Sequence, residues 1–132
     1  MPKVSKGSAA HVDDHGMVED RHQDIDGYTI NFLSFRQDID GTPLVKGLPG
    51  DMCNCPHWGY VLKGRLTYRF ADHDEIYEEG DAFYLPAGHI PLADAGSEIV
   101  QFSPTAELKV VSDTMTKNAQ ELLARLQPSQ SS

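Results

Sequence analysis

From Tyr60 to Phe102 the chain is cut into short apolar and aromatic runs by turn signals at close, regular intervals. The run 60–62 ends at Lys63-Gly64, 66–70 ends at Ala71-Asp72-His73-Asp74, 75–78 ends at Glu79-Gly80-Asp81, and Ala82–Leu85 ends at Pro86-Ala87-Gly88. The run 99–102 closes the series. Strands this short, punctuated this often, read as an all-β barrel or sandwich. Upstream, Tyr28–Phe35 is rich in β-branched and aromatic residues and follows the turn signal Asp26-Gly27, which predicts a first strand. Downstream, Ser103-Pro104 offers an N-cap followed by proline at the first helical position. Met115, Ala119, Leu122, Leu123 and Leu126 then recur at helical spacing. This predicts a C-terminal helix packed on the outside of the sheet, with Ser112-Asp113 the place where it would break.

With 132 residues and 39% hydrophobic content, the chain can bury one modest core but not two. The expected layout is a flexible arm over 1–23, the barrel over 24–104, a helical segment over 105–127 and a tail over 128–132. The arm is expected because its residues are mostly polar, and its His11, His15 and His22 read as solvated. Residues 38–51 carry Pro43, Gly47, Pro49 and Gly50 and read as a loop. Eleven Lys and Arg against twenty Asp and Glu give a net charge of −9, spread along the chain, which argues against a nucleic-acid partner. There is no apolar run of about 18 residues for a membrane span and no secretory pattern, so a cytoplasmic location is expected.

Cys53-Asn54-Cys55-Pro56-His57 places three strong metal-ligand side chains at every second residue, just before a strand-like run. If the segment is extended, Cys53, Cys55 and His57 share one face. The chain has only these two cysteines. Two residues apart on a strand, they lie about 6.5–7 Å apart at Cα, at or beyond the limit for a disulfide. They read as free thiols, and such a pair in a reducing compartment is more often metal-binding or catalytic than structural.

The run from His57 to Gly64, followed by Gly80, Pro86, Gly88 and His89, resembles the two motifs of the cupin superfamily, of the small single-domain conserved-barrel (cupin 2) type. The resemblance covers roughly residues 28–102. It implies a double-stranded β-helix, the jelly-roll barrel, here with the C-terminal α-helix appended. Gly64, Gly80, Pro86 and Gly88 match the family skeleton, while the ligand set departs from it. His57 stands where a glutamate is usual, Cys53-x-Cys55 stands in place of a two-histidine element, and the third-histidine slot falls on Pro91, with His89 two residues earlier. The implied metal ligands are therefore Cys53, Cys55, His57 and His89.

Soft thiolates with imidazoles favour zinc, with iron next. Four ligands would close the metal to water and make the site structural, whereas three would leave a position for chemistry. Two functions follow from the resemblance. One is a metal-dependent enzyme (oxygenase, isomerase, lyase or decarboxylase) acting on a small organic molecule inside the barrel, with Tyr28, Ile30, Phe32, Tyr84 and Leu92 as candidate pocket residues. The other is a non-catalytic small-molecule-binding or sensing protein with a structural zinc or no metal. Two blander readings stand beside them: the cysteines as small buried hydrophobes, or as a redox-sensing thiol pair. The resemblance also implies a homodimer. Trp58 and Tyr60, of opposite parity to His57, are expected to face outward, and Phe32, Leu33, Phe35, Phe70, Phe83 and Phe102 to pack the core. No nucleophile elbow, phosphate loop or dinucleotide fingerprint is present.

Overall fold

The computed structural model describes residues 3–126. Ten strands precede one helix: β1 His11–Asp14, β2 Val18–Ile25, β3 Tyr28–Phe35, β4 Ile39–Asp40, β5 His57–Lys63, β6 Arg65–Arg69, β7 Asp74–Glu78, β8 Ala82–Leu85, β9 Ile90–Ala93, β10 Glu98–Pro104 and α1 Thr105–Leu126. They form two antiparallel sheets, one of order β1-β2-β3-β10-β5-β8 and one of order β4-β9-β6-β7. The chain passes from one sheet to the other through the single residue Gly64, at φ +80°, a left-handed conformation that a side chain would strain. A Cβ there would also collide with Ser97, whose hydroxyl accepts from the Arg65 amide at 3.0 Å and donates to the Arg65 carbonyl.

Between the sheets lies an apolar core that includes Val61, Leu66, Tyr68, Phe83, Leu85 and Ile99. A smaller cluster of Val45, Leu48, Cys53, Cys55 and Val111 sits beneath the long β4–β5 connection. The two faces of the larger sheet differ sharply. Inward, β3 presents Thr29, Asn31, Leu33 and Phe35 to a cavity of about 390 Å³. Outward, Tyr28, Trp58, Tyr60, Leu62, Tyr84 and Phe102 are each 41–51% exposed, with the Trp58 and Tyr84 rings 4.9 Å apart.

Three expectations are corrected. The arm expected over 1–23 contains β1 and most of β2, and β2 pairs with β3 along its whole length, from Val18↔Phe35 to Ile25↔Tyr28. Its sequence, VEDRHQDI, hid the strand because its inward residues Asp20, His22 and Asp24 line a polar part of the cavity rather than apolar core. The pocket residues expected on β3 have the wrong parity: Tyr28, Ile30 and Phe32 alternate with the cavity-lining set, and Phe102, opposite Ile30, shares their outer face. Tyr84 packs against Trp58 outside the barrel with its ring tilted, and Leu92 lies in a shallow depression beside Asp38 and Arg69. Lastly, α1 runs unbroken through Ser112-Asp113 and, rather than lying on the outside of a sheet, closes the cavity with Leu108, Val111, Met115 and Ala119. Asn118 fastens it by donating to the carbonyls of Leu44 (2.7 Å) and Lys46 (2.9 Å). Gln127 and the expected tail over 128–132 lie outside the described residues.

Candidate metal centre

Two backbone segments distant in sequence meet at Cys53. Its N–H donates to the His89 carbonyl at 2.8 Å, and its carbonyl accepts from Gly88 at 2.9 Å and His89 at 3.2 Å. Gly88 allows this return at φ +91°. The resulting bridge holds Cys53 beside His89, while β5 brings in His57 as its first residue, opposite Leu85 of β8. One donor atom from each of Cys53, His57 and His89 lies within 4.8 Å of the others, and all three residues are buried. The Cys53 Sγ to His57 Nε2 distance is 3.8 Å, and the two imidazole centroids are 5.3 Å apart.

Each imidazole is oriented from behind. His89 Nδ1 lies 2.8 Å from the Pro86 carbonyl, which only accepts, so Nδ1 carries the proton and Nε2 keeps a free lone pair. His57 Nδ1 lies 2.6 Å from the Ser103 hydroxyl. Burial lowers the pKa of His57 to about 3 and that of His89 to about 4, so both rings are neutral at ordinary pH. Burial pushes the Cys53 thiol up to about 11, and a backbone hydrogen bond from Cys55 only partly offsets it. A buried thiol between two neutral imidazoles loses its proton readily only to a cation.

The donor set fits a metal ion. Tetrahedral zinc at its usual bond lengths to sulfur and nitrogen separates the two donors by about 3.6 Å, against the 3.8 Å found here. Nδ1 anchored to a carbonyl with Nε2 free, as at His89, is the arrangement found behind metal-ligating histidines, and the Ser103 hydroxyl can play the carbonyl's part at His57 by accepting. Three such donors leave a fourth position, and Cys53, His57 and His89 all line the cavity.

Of the four donors expected from the sequence, Cys55 is not in this group. Residues 54–56 are not extended strand, so the period-two alternation fails, and Cys55 Sγ turns to the Pro56 carbonyl at 3.4 Å and to the Ser103 hydroxyl. Burial first, then the neighbouring Cys53 and Glu107, raise its thiol to about 12. Ser103, expected to cap the helix, instead links Cys55 to His57. Nothing local marked it: its signal was alternation along β10, which puts Gln101 and Ser103 on the inner face.

Of the histidines expected to be solvated, His11 is exposed and the other two change standing. His15 and His22 line the cavity, and His11 stacks on His22 at 5.2 Å. His22 Nε2 lies 2.9 Å from Asp13 Oδ2, and Asp20 completes a second group of possible donors at the cavity rim. Asp20 accepts from Asn31 Nδ2 at 2.9 Å, and burial raises its pKa. Period-two spacing of Asp20, His22 and Asp24 was the available signal, masked by the expectation that an inward face is apolar.

No protein-family model matches the sequence, and no curated protein matches it. Solved structures do match. The polyketide cyclase RemF from Streptomyces resistomycificus is 14% identical with a TM-score of 0.57, over 79% of this chain and 79% of that one. An RmlC-like cupin from Shewanella frigidimarina is 14% identical with a TM-score of 0.54, over 79% of this chain and 92% of that one. A cupin superfamily protein from Desulfitobacterium hafniense is 17% identical with a TM-score of 0.51, over 67% and 78%. Among the described residues no helix is long and apolar enough to cross a membrane. At these identities the likeness speaks to architecture alone, and the architecture of this chain is the cupin fold.

Proposed function

We propose that this chain binds one divalent metal ion, zinc first and iron next, through Cys53, His57 and His89, and acts as a metal-dependent enzyme on a small organic molecule held in the cavity. The observation that carries the reading is the convergence of three oriented, buried donors on the cavity wall with one side left open. When bound, the metal would polarise a substrate oxygen or activate water. His57 and His89 hold their lone pairs inward through Ser103 and Pro86, Cys53 gives up its proton, and the apolar wall and α1 exclude bulk water. RemF, named a polyketide cyclase, supports chemistry on an organic substrate within this fold only by analogy.

Cobalt substitution tests this. Cobalt(II) added to the metal-free protein should give a thiolate-to-metal absorption band that saturates at one equivalent and is absent in Cys53→Ala. Adding a small coordinating anion should then perturb the visible bands. A cobalt spectrum insensitive to such anions would point to a closed structural site in a non-catalytic binding protein.

The assembly we propose is a homodimer formed through the outer face of the larger sheet. Tyr28, Ile30, Phe32, Trp58, Tyr60, Tyr84 and Phe102 form one apolar surface across β3, β10, β5 and β8, while the same face of β2 presents Glu19, Arg21 and Gln23. An apolar centre with a polar rim is the anatomy of a protein interface, and contiguous exposed apolar surface marks interaction sites. The free, buried cysteines suit a reducing compartment, so we place the protein in the cytoplasm. The charge of −9 supports the expectation of no nucleic-acid partner.

A further inference from the structure

Tyr68 on β6 and Gln101 on β10 turn polar groups into the cavity that no protein group satisfies. Tyr68 is 3% exposed and Gln101 8% exposed, and both line the cavity. Among the described residues, Asn31 Oδ1 is the one side-chain polar atom that is both fully sealed and unpaired. The Tyr68 hydroxyl and the Gln101 amide form no side-chain hydrogen bond among those residues either, so both keep open surface, and the cavity they line is what they face. Because β6 and β10 belong to different sheets, the two groups reach the cavity from different walls. A phenol offers one O–H, and a primary amide offers two N–H donors and an acceptor oxygen.

Both stand beside the proposed metal donors. The Tyr68 ring meets the His89 ring edge-on at 5.6 Å, and Cys53 is close enough to act on the Tyr68 hydroxyl. Gln101 lies two residues before Ser103, which holds His57 Nδ1, and on the adjoining strand it faces Gly59, two residues after His57. Gly59 has no side chain to offer the amide. On the other flank Asn31 gives its Nδ2 to Asp20. The wall around them is largely apolar, with Met17, Leu33, Phe35 and Met115 among its residues. Its lysine, Lys109, already lies 3.7 Å from Asp113. A cavity of about 390 Å³ is within the range of small-molecule sites, where a few polar groups in an apolar lining fix the ligand's orientation. Neutral donors in such a lining suit an uncharged oxygen better than a carboxylate.

Deepening the metal-site reading above, on which it rests for the chemistry that follows binding, we infer that Tyr68 and Gln101 hold the carbonyl end of an uncharged, largely apolar ligand, a ketone, ester or amide. The Tyr68 hydroxyl and the Gln101 amide nitrogen donate to the ligand, and Gln101 Oε1 is free to accept from it. Since both groups adjoin Cys53, His57 and His89, the pair sets the ligand's oxygen end, rather than its apolar body, toward the metal position.

The test uses acetophenone, α-methylstyrene, which has the same shape with a methylene in place of the oxygen, and benzoate. Each is titrated into the metal-free full chain and followed by the methyl resonances of Met17 and Met115, which line the cavity and persist in every variant. Tyr68→Phe and Gln101→Leu should each weaken acetophenone by about fivefold or more while moving α-methylstyrene by less than about twofold. Benzoate should bind more weakly than acetophenone. Because the Tyr68 hydroxyl has no protein partner, Tyr68→Phe should unfold in urea at the wild-type midpoint or above it. A lower midpoint would assign the hydroxyl to the fold and overturn the inference. Equal weakening of acetophenone and α-methylstyrene, discrimination lost in only one of the two variants or in neither, tighter binding of benzoate, or no saturable shift with any probe would also overturn it. The cobalt titration described above is run on the same samples. Carbonyl selectivity without a cobalt band would sink the metal reading and leave the pair standing, and a cobalt band without selectivity would do the reverse.

Discussion

Taking the metal-free protein from pH 7 to pH 5 asks the unfolded chain to bind two protons that the folded chain refuses. His57 and His89 are 6% and 1% exposed, and burial sets their pKa values to about 3 and about 4. In the unfolded chain each returns to about 6.5. Between these limits the unfolded state binds more protons, so stability is present above pH 6.5 and is lost as pH falls through this window. At pH 5, protonation favours the unfolded state by about 2 kcal/mol for each histidine, or about 4 kcal/mol together. That is a large part of the 5–15 kcal/mol typical of a domain. Two groups act the other way: His73, raised by Asp72 and then Glu75, and Asp20, raised by its burial. Carboxylates held low, such as Asp14 beside Arg36, matter only at more acid pH. Urea unfolding in the presence of a chelator should show the midpoint falling by about 2 M between pH 7 and pH 5, for a slope of about 2 kcal/mol/M. His57→Leu and His89→Leu should each remove about half of that pH dependence, whatever their effect at pH 7. An unchanged midpoint, or histidine resonances of these two residues titrating near 6.5, would refute the reasoning.

Other outcomes follow from the same geometry. Because the Cys53 thiol is held near 11 and the imidazoles are already neutral, zinc binding should release one proton. Its apparent affinity should then rise about tenfold per pH unit from pH 6 to 9, and a competition titration with Cys53→Ala should lose that slope. Trp58→Glu, at the centre of the outer apolar face, should convert a dimer to a monomer in light scattering while leaving the circular dichroism unchanged. Gly59→Ala would push a methyl into the Phe83 ring and the Val100 carbonyl, and should destabilise the protein by about 1–3 kcal/mol in urea unfolding.

Glycine and proline punctuation made the β5–β8 region legible because the turns at Gly64 and Gly80 use a residue type that the backbone demands, each at a positive φ. The Tyr28–Phe35 strand was readable for its β-branched and aromatic content, but not which face it buries. Both faces carry large apolar side chains, and hydrophobicity does not separate a core from an unpartnered outer sheet. β2 was hidden for the converse reason, its inward face being polar. His57 and His89 stood out by residue type, and they do meet. Cys55 stood out equally and does not join them, because residues 54–56 leave strand geometry and turn its sulfur toward Pro56 and Ser103. Ser103 gave no local signal, since its role arises from register between strands far apart in sequence.

The most direct test of the metal centre is elemental mass spectrometry on the purified chain after zinc loading and desalting, with wild type beside Cys53→Ala, Cys55→Ala, His57→Ala and His89→Ala. We expect one metal ion per chain in the wild type and in Cys55→Ala, and far less than one in the other three. A wild type that takes up no metal would contradict the proposed function, and equal loss in Cys55→Ala would contradict the three-donor geometry.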